Sequence, residues 1–118
     1  MTSDESVVAK LSALPLSSRD SGRSALELVR ESGYFSAPEK LTVADVALYL
    51  TENSALVDHW LYWSEDKRAS KGWYFRKTVE GFVVGYFPNG ECQQFSDGIE
   101  ACAEFVVREV AAIRETGR

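Results

Sequence analysis

Residues 80–87 read Glu-Gly-Phe-Val-Val-Gly-Tyr-Phe, an apolar run rich in β-branched and aromatic side chains. Ser70 to Arg76 before it is also rich in aromatics, Pro88-Asn89-Gly90 behind it is a turn signal, and Glu91 to Phe95 is a short third run. Together they predict a three-stranded antiparallel meander. Gly81 and Gly85 weaken the middle strand unless another backbone approaches closely there. Side chains alternate along a strand, so Phe82, Val84 and Tyr86 share one face, and Val83, Gly85 and Phe87 share the other. If Trp73 and Phe75 face the helices, Tyr74 and Arg76 face outward. A middle strand apolar on both sides marks a surface in need of a partner, either a second copy or a different protein.

Helical signals flank this stretch. Asp4 is placed to cap a helix carrying Val7, Val8, Leu11 and Leu14, which Pro15 closes. The polar run 17–22 reads as a loop. A second helix from about Ser24 buries Ala25, Leu28 and Val29 and stops at Gly33, and Tyr34 to Leu41, with Pro38, reads as irregular chain. Thr42-x-x-Asp45 resembles a capping box, and Val43, Val46, Ala47 and Leu50 follow on one helical face. Ser54 caps a further helix through about Glu65, with Leu56, Trp60 and Trp63 aligned and Val57 and Leu61 beside them. Asp97 and Glu100 open a closing helix whose buried stripe is Ile99, Cys102, Val106, Val110 and Ile113. Glu104 and Arg108 form an i, i+4 pair on its solvated side. With 118 residues and no repeat or linker, the chain reads as one α+β domain, residues 1–118: N-terminal helices, a meander, and a C-terminal helix packed on one sheet face.

Thirteen Lys and Arg against eighteen Asp and Glu give a net charge of −5. Such a domain lacks the phosphate-neutralising charge that supplies most non-specific nucleic-acid affinity. The helix–sheet–helix order resembles the double-stranded-RNA-binding domain, but that family needs a basic helix N-terminus, and Asp97 and Glu100 have the wrong sign. No apolar stretch is long enough to span a bilayer, and the start Met1-Thr2-Ser3-Asp4-Glu5 is unlike a secretory signal, so the expectation is a cytoplasmic protein. Cys92 and Cys102 read as two buried free thiols, without C-x-x-C spacing.

His59 is the single histidine, and no His/Cys/Asp/Glu cluster has metal-ligand spacing. It reads as a half-exposed helical side chain. A G-x-S-x-G motif, a P-loop and a dinucleotide fingerprint are all missing. Glu65-Asp66 at a helix end reads as solvated charge. The expectation is a protein without catalytic centre, cofactor or metal.

Trp60, Tyr62, Trp63, Trp73, Tyr74 and Phe75 crowd into a short segment, the pattern of a core or of a binding surface. Residues 1–69 hold eleven acids against seven bases, and residues 70–118 seven against six, so the helical half is the acidic half. A short acidic α+β domain carrying the segment Trp60-Leu61-Tyr62-Trp63-Ser64-Glu65-Asp66-Lys67-Arg68 through Gly72-Trp73-Tyr74-Phe75 resembles the small bacterial immunity proteins that neutralise contact-dependent and other polymorphic toxins. The resemblance implies stoichiometric occlusion of a basic toxin domain of the nuclease kind, with acidic charge steering the encounter. On that reading Asp58, Glu65 and Asp66 contribute charge, and Tyr62, Tyr74 and Arg76 contribute contacts. Two alternatives stand beside it. One is an adaptor, homodimeric through the apolar outer sheet face. The other is a small enzyme or ligand-binding domain with a pocket walled by Trp60, Trp63 and Trp73 and served by His59 and Arg68.

Overall fold

Pro15 opens a helix where the sequence reading closes one. The computed structural model describes residues 3–66, 72–87, 90 and 92–116, with the side chains of residues 3–6, 40, 66 and 116 outside the description. Helix α1 (Ser3–Ser12) ends one residue short of α2 (Leu14–Ser21), in whose first turn Pro15 sits. The first helical turn has no intrahelical partner for its N–H groups, so the missing donor of a proline costs nothing there. Helix α2 stops at Gly22, whose left-handed backbone (φ 73°) lets its N–H reach the Ser18 carbonyl at 2.9 Å. Residues 17–21 are therefore helical. Their periodicity is silent because Leu14 is the one fully buried residue of the helix.

The next two helices follow their local chemistry. Ser24 and Glu27 form a reciprocal capping box at the start of α3 (Ala25–Ser32), and Gly33 ends it with φ 95°. A single 3-10 turn, Pro38–Lys40, leads to α4 (Val43–Glu52), where the Thr42 hydroxyl accepts the Asp45 N–H at 3.1 Å. Val46 and Leu50 are buried and Ala47 half-buried, but Val43 lies on the open side. The first turn of a helix carries too little periodic information to assign Val43 to a face.

Helix α5 (Ala55–Asp66) buries Leu56 and Trp60. The Trp60 indole donates to the Ser12 carbonyl at 2.8 Å and packs against Trp63 and Phe105, with ring centroids 5.4 and 5.8 Å away. That bond satisfies a helix-end carbonyl of α1 and ties two helices 48 positions apart.

Strands β1 (Gly72–Thr78), β2 (Gly81–Phe87) and β3 (Cys92–Phe95) pair antiparallel in the order β1-β2-β3. The predicted turn residues Pro88 and Asn89, and Glu91, lie outside the described residues. Residues opposite one another share a face, so Trp73 with Tyr86, Phe75 with Val84 and Lys77 with Phe82 lie on the helix side. Tyr74 with Gly85 and Arg76 with Val83 lie on the outer side. Phe75 stacks between Phe82 and Phe105 at 5.9 and 5.7 Å.

The outer side is less apolar than the alternation implies. Two of its four β2 positions are Gly81 and Gly85, Val83 is half-buried, and Phe87 is 55% exposed. A Cβ on Gly81 would come within 2.3 Å of the Phe95 carbonyl oxygen, which is the close backbone approach that a strand glycine allows. Gly85 meets a side chain instead: its Cβ would lie 2.5 Å from the Tyr74 hydroxyl.

Helix α6 (Gly98–Thr116) closes the fold, with the Asp97 carboxylate accepting the Ile99 N–H at 2.9 Å. Cys102, Val106 and Val110 are buried as expected, while Ile99 and Ile113 are half-buried. Ala101, Ala103, Phe105 and Glu109 are buried as well. The stripe is wider than predicted because α6 packs on β1 and β2 with one side and on α4 and α3 with another. Cys92 is exposed, contrary to the expectation of two buried thiols, because β3 is a strand at the edge of the sheet. Burial pushes the Cys102 thiol far above its ordinary range. No helix among the described residues is long and apolar enough to cross a membrane.

Candidate protein-interaction surface

With Leu56 and Trp60 turned inward, α5 exposes Asp58, Tyr62 and Glu65, which recur at i, i+4 and i+7 on one helical face. Tyr62 is 69% exposed, an unusual position for a large aromatic side chain. The helix lies along the free edge of β1. There the Phe75 N–H donates to the Ser64 hydroxyl at 2.8 Å, so Phe75 turns its backbone donor away from β2 and toward the helix. An edge strand is thereby covered in part by a side chain from outside the sheet.

The helix and the strand edge bound a cleft of about 250 Å³. Asp58, Tyr62 and Glu65 line it from α5, and Phe75, Arg76 and Lys77 from β1. Four of the six residues expected to contact a partner, Asp58, Tyr62, Glu65 and Arg76, thus border one depression. Tyr74 does not. Its half-buried ring lies across Gly85 on the outer sheet side, and the Arg76 guanidinium sits 4.9 Å from its centre. Asp66 is the last residue of α5, and its side chain lies outside the described residues.

Tyr62 and Glu65 also line a second, open cleft of about 490 Å³ between α2 and α5, together with Arg19, His59 and Trp63. They form a ridge between the two clefts. Arg19 and Lys77 were not singled out by the sequence. Arg19 lines its cleft from helix α2, and Lys77 lines the other from the strand that α5 borders. The described charge here is mixed, with Asp58 and Glu65 set against Arg19, Arg76 and Lys77. Among the described residues no ion pair joins these acids to these bases.

None of the clefts seen among the described residues is walled by all three tryptophans: Trp60 is fully buried, Trp63 lines the α2–α5 cleft, and Trp73 lines a separate cleft with Tyr86 and Arg108. Arg108 lies 4.8 Å from the Trp73 ring centre and pairs with Glu104, as expected from their spacing. Arg68 lies outside the described residues. Glu109 is a buried acid that the sequence did not mark. Its carboxylate accepts the Trp63 indole N–H at 2.9 Å and so joins α5 to α6. No group of three or more His, Cys, Asp or Glu among the described residues is arranged to hold a metal ion.

No family model, no curated protein and no solved structure matches the chain.

Proposed function

We propose that the chain is an immunity protein that binds a cognate bacterial toxin, of the nuclease kind, in the cytoplasm and silences it by covering it. The observation that carries this reading is the gathering of Asp58, Tyr62, Glu65 and Arg76 around one depression on the outward side of α5. An exposed Tyr flanked by charge has the composition of a protein-interface anchor, since Tyr, Trp and Arg dominate binding energy at such surfaces. The net charge of −5 adds a long-range attraction toward a basic partner, and the mixed local charge sets the register of docking.

The test is co-expression with the product of the adjacent reading frame. A one-to-one complex and rescue of growth are expected, with Tyr62→Ala lowering affinity by about 2 kcal/mol or more. A neighbour whose toxicity is untouched by co-expression overturns the reading. Asp66→Lys is expected to slow association and flatten its salt dependence, and an unchanged rate across salt removes the steering component.

A second reading attaches to the α2–α5 cleft, whose volume of about 490 Å³ is that of a small-molecule site and which gathers Arg19, His59 and Trp63. Saturable quenching of Trp63 fluorescence by a small ligand, abolished by Arg19→Ala, would favour it.

A further inference from the structure

We propose that the α5–β1 cleft receives a basic side chain, Arg or Lys, from the protein partner, and that Tyr74 keeps the cleft open by holding Arg76 on the outer side of the sheet. This rests on the reading of α5 as the partner-facing surface.

Asp58 and Glu65 stand two turns apart on α5, and both border the cleft. Neither makes an ion pair among the described residues. Arg76 borders the same cleft and is the obvious internal counter-charge, yet its guanidinium is stacked on the Tyr74 ring. That ring is held in turn by the sheet. Tyr74 lies opposite Gly85 in the ladder, and the missing Cβ of Gly85 is what lets the ring lie flat there. Gly85 thus seats Tyr74, Tyr74 holds Arg76, and the two carboxylates stay open to an external cation.

The rest of the cleft suits the same occupant. Leu61 and Phe75 offer apolar contact to the methylene stem of a long basic side chain, and the exposed Tyr62 ring offers a face to its charge. The volume of about 250 Å³ lies below the usual range of small-molecule sites, which begins at roughly 300 Å³. It matches one inserted side chain better than a free ligand. Among the described residues lining this cleft, Lys77, exposed on the strand side, is the internal competitor that Tyr74 does not restrain.

The probe is N-acetyl-L-arginine amide, followed through backbone amide shifts of the full chain, with N-acetyl-citrulline amide as the uncharged isostere. Saturable shifts at Asp58, Tyr62 and Glu65 are expected with the arginine and not with the citrulline, and the double variant Asp58→Asn/Glu65→Gln should lose them. Tyr74→Leu should weaken the probe by about two- to fivefold, since the released guanidinium then pairs with the carboxylates. Tyr74→Phe, which keeps the stacking face, should hold the wild-type affinity. Adding Arg76→Ala to Tyr74→Leu should restore it, a recovery that a merely structural role of Tyr74 does not produce. Lys77→Ala, a change at an exposed site, should tighten the probe even if the Tyr74 variants do not fold. Equal shifts with citrulline, a weaker probe in Lys77→Ala, or no recovery in a folded double variant overturns the proposal. If the toxin complex forms and ignores Asp58→Asn/Glu65→Gln, this inference falls and the immunity reading stands. If the probe binds as described and the neighbouring protein does not, the reverse holds.

Discussion

Trp60 and Tyr62 lie two positions apart on α5 and meet opposite surroundings. Trp60 is fully buried, hydrogen-bonded to the Ser12 carbonyl, and packed between two other rings. Tyr62 projects from the ridge between two open clefts. On the Trp60 side every contact is internal. On the Tyr62 side the acids are unpaired within the described residues, the Arg76 guanidinium lies over the Tyr74 ring, and the aromatic ring of Tyr62 faces solvent. One helix thus carries a side that stabilises the fold and a side whose charged and aromatic groups face open clefts.

Substitutions should separate the two sides by size of effect. Trp60→Ala empties the centre of the core and should cost about 3–5 kcal/mol in chemical denaturation, a large share of the roughly 5–15 kcal/mol that holds a domain folded. A cost under 1 kcal/mol would mean that the inward side of α5 is not the keystone described. Next is Gly85→Ala, whose added methyl would overlap Tyr74 and the Cys92 Cβ. A loss of about 1–3 kcal/mol is expected, largely recovered by Tyr74→Ala in the same chain. Without recovery, the Tyr74–Gly85 contact does not control that sheet face. Ser64→Ala strips the partner from the Phe75 N–H at the edge of β1 and should cost about 1–2 kcal/mol. Tyr62→Ala should change stability by no more than about 0.5 kcal/mol, because its ring is mostly in water already. A larger loss would make the ridge a structural element.

The cysteines sharpen the same contrast in a different part of the molecule. A thiol reagent should modify Cys92 in the native protein and Cys102 only on unfolding. Burial raises the Cys102 thiol in the folded state, so the unfolded chain loses that proton first as pH rises. The stabilisation from the neutral thiol is complete below about pH 8.5 and declines above it. Wild type should therefore lose stability faster than Cys102→Ala between about pH 9 and 10.5. Parallel pH profiles would show that Cys102 is not held in a low-dielectric core.

Much of the fold was legible because its signals are local. The Ser24–Glu27 box, the Thr42 and Asp97 caps and the Gly33 stop each act within a few residues. The first two strands announced themselves through an aromatic-rich and an apolar run, and the Pro88-Asn89-Gly90 signal set off the short third run. Errors arose where a signal depends on context. A proline either ends a helix or occupies its first turn, and the residue itself does not distinguish the two. The width of the α6 stripe, including Phe105 and Glu109, depends on its having both sheet and helices as neighbours. The exposure of Cys92 depends on β3 being an edge.

The candidate surface divides in the same way. Asp58, Tyr62 and Glu65 share a face of α5 by helical spacing alone, so the sequence determined that stripe by itself. That Arg19 flanks it, that β1 runs beside it, and that Arg76 lies over a Tyr74 ring seated against Gly85 were decided by tertiary structure. Capping and periodicity act over one or two helical turns. Which faces meet is set by burying the large rings Trp60, Phe75 and Phe105 together, and these come from elements far apart in the chain.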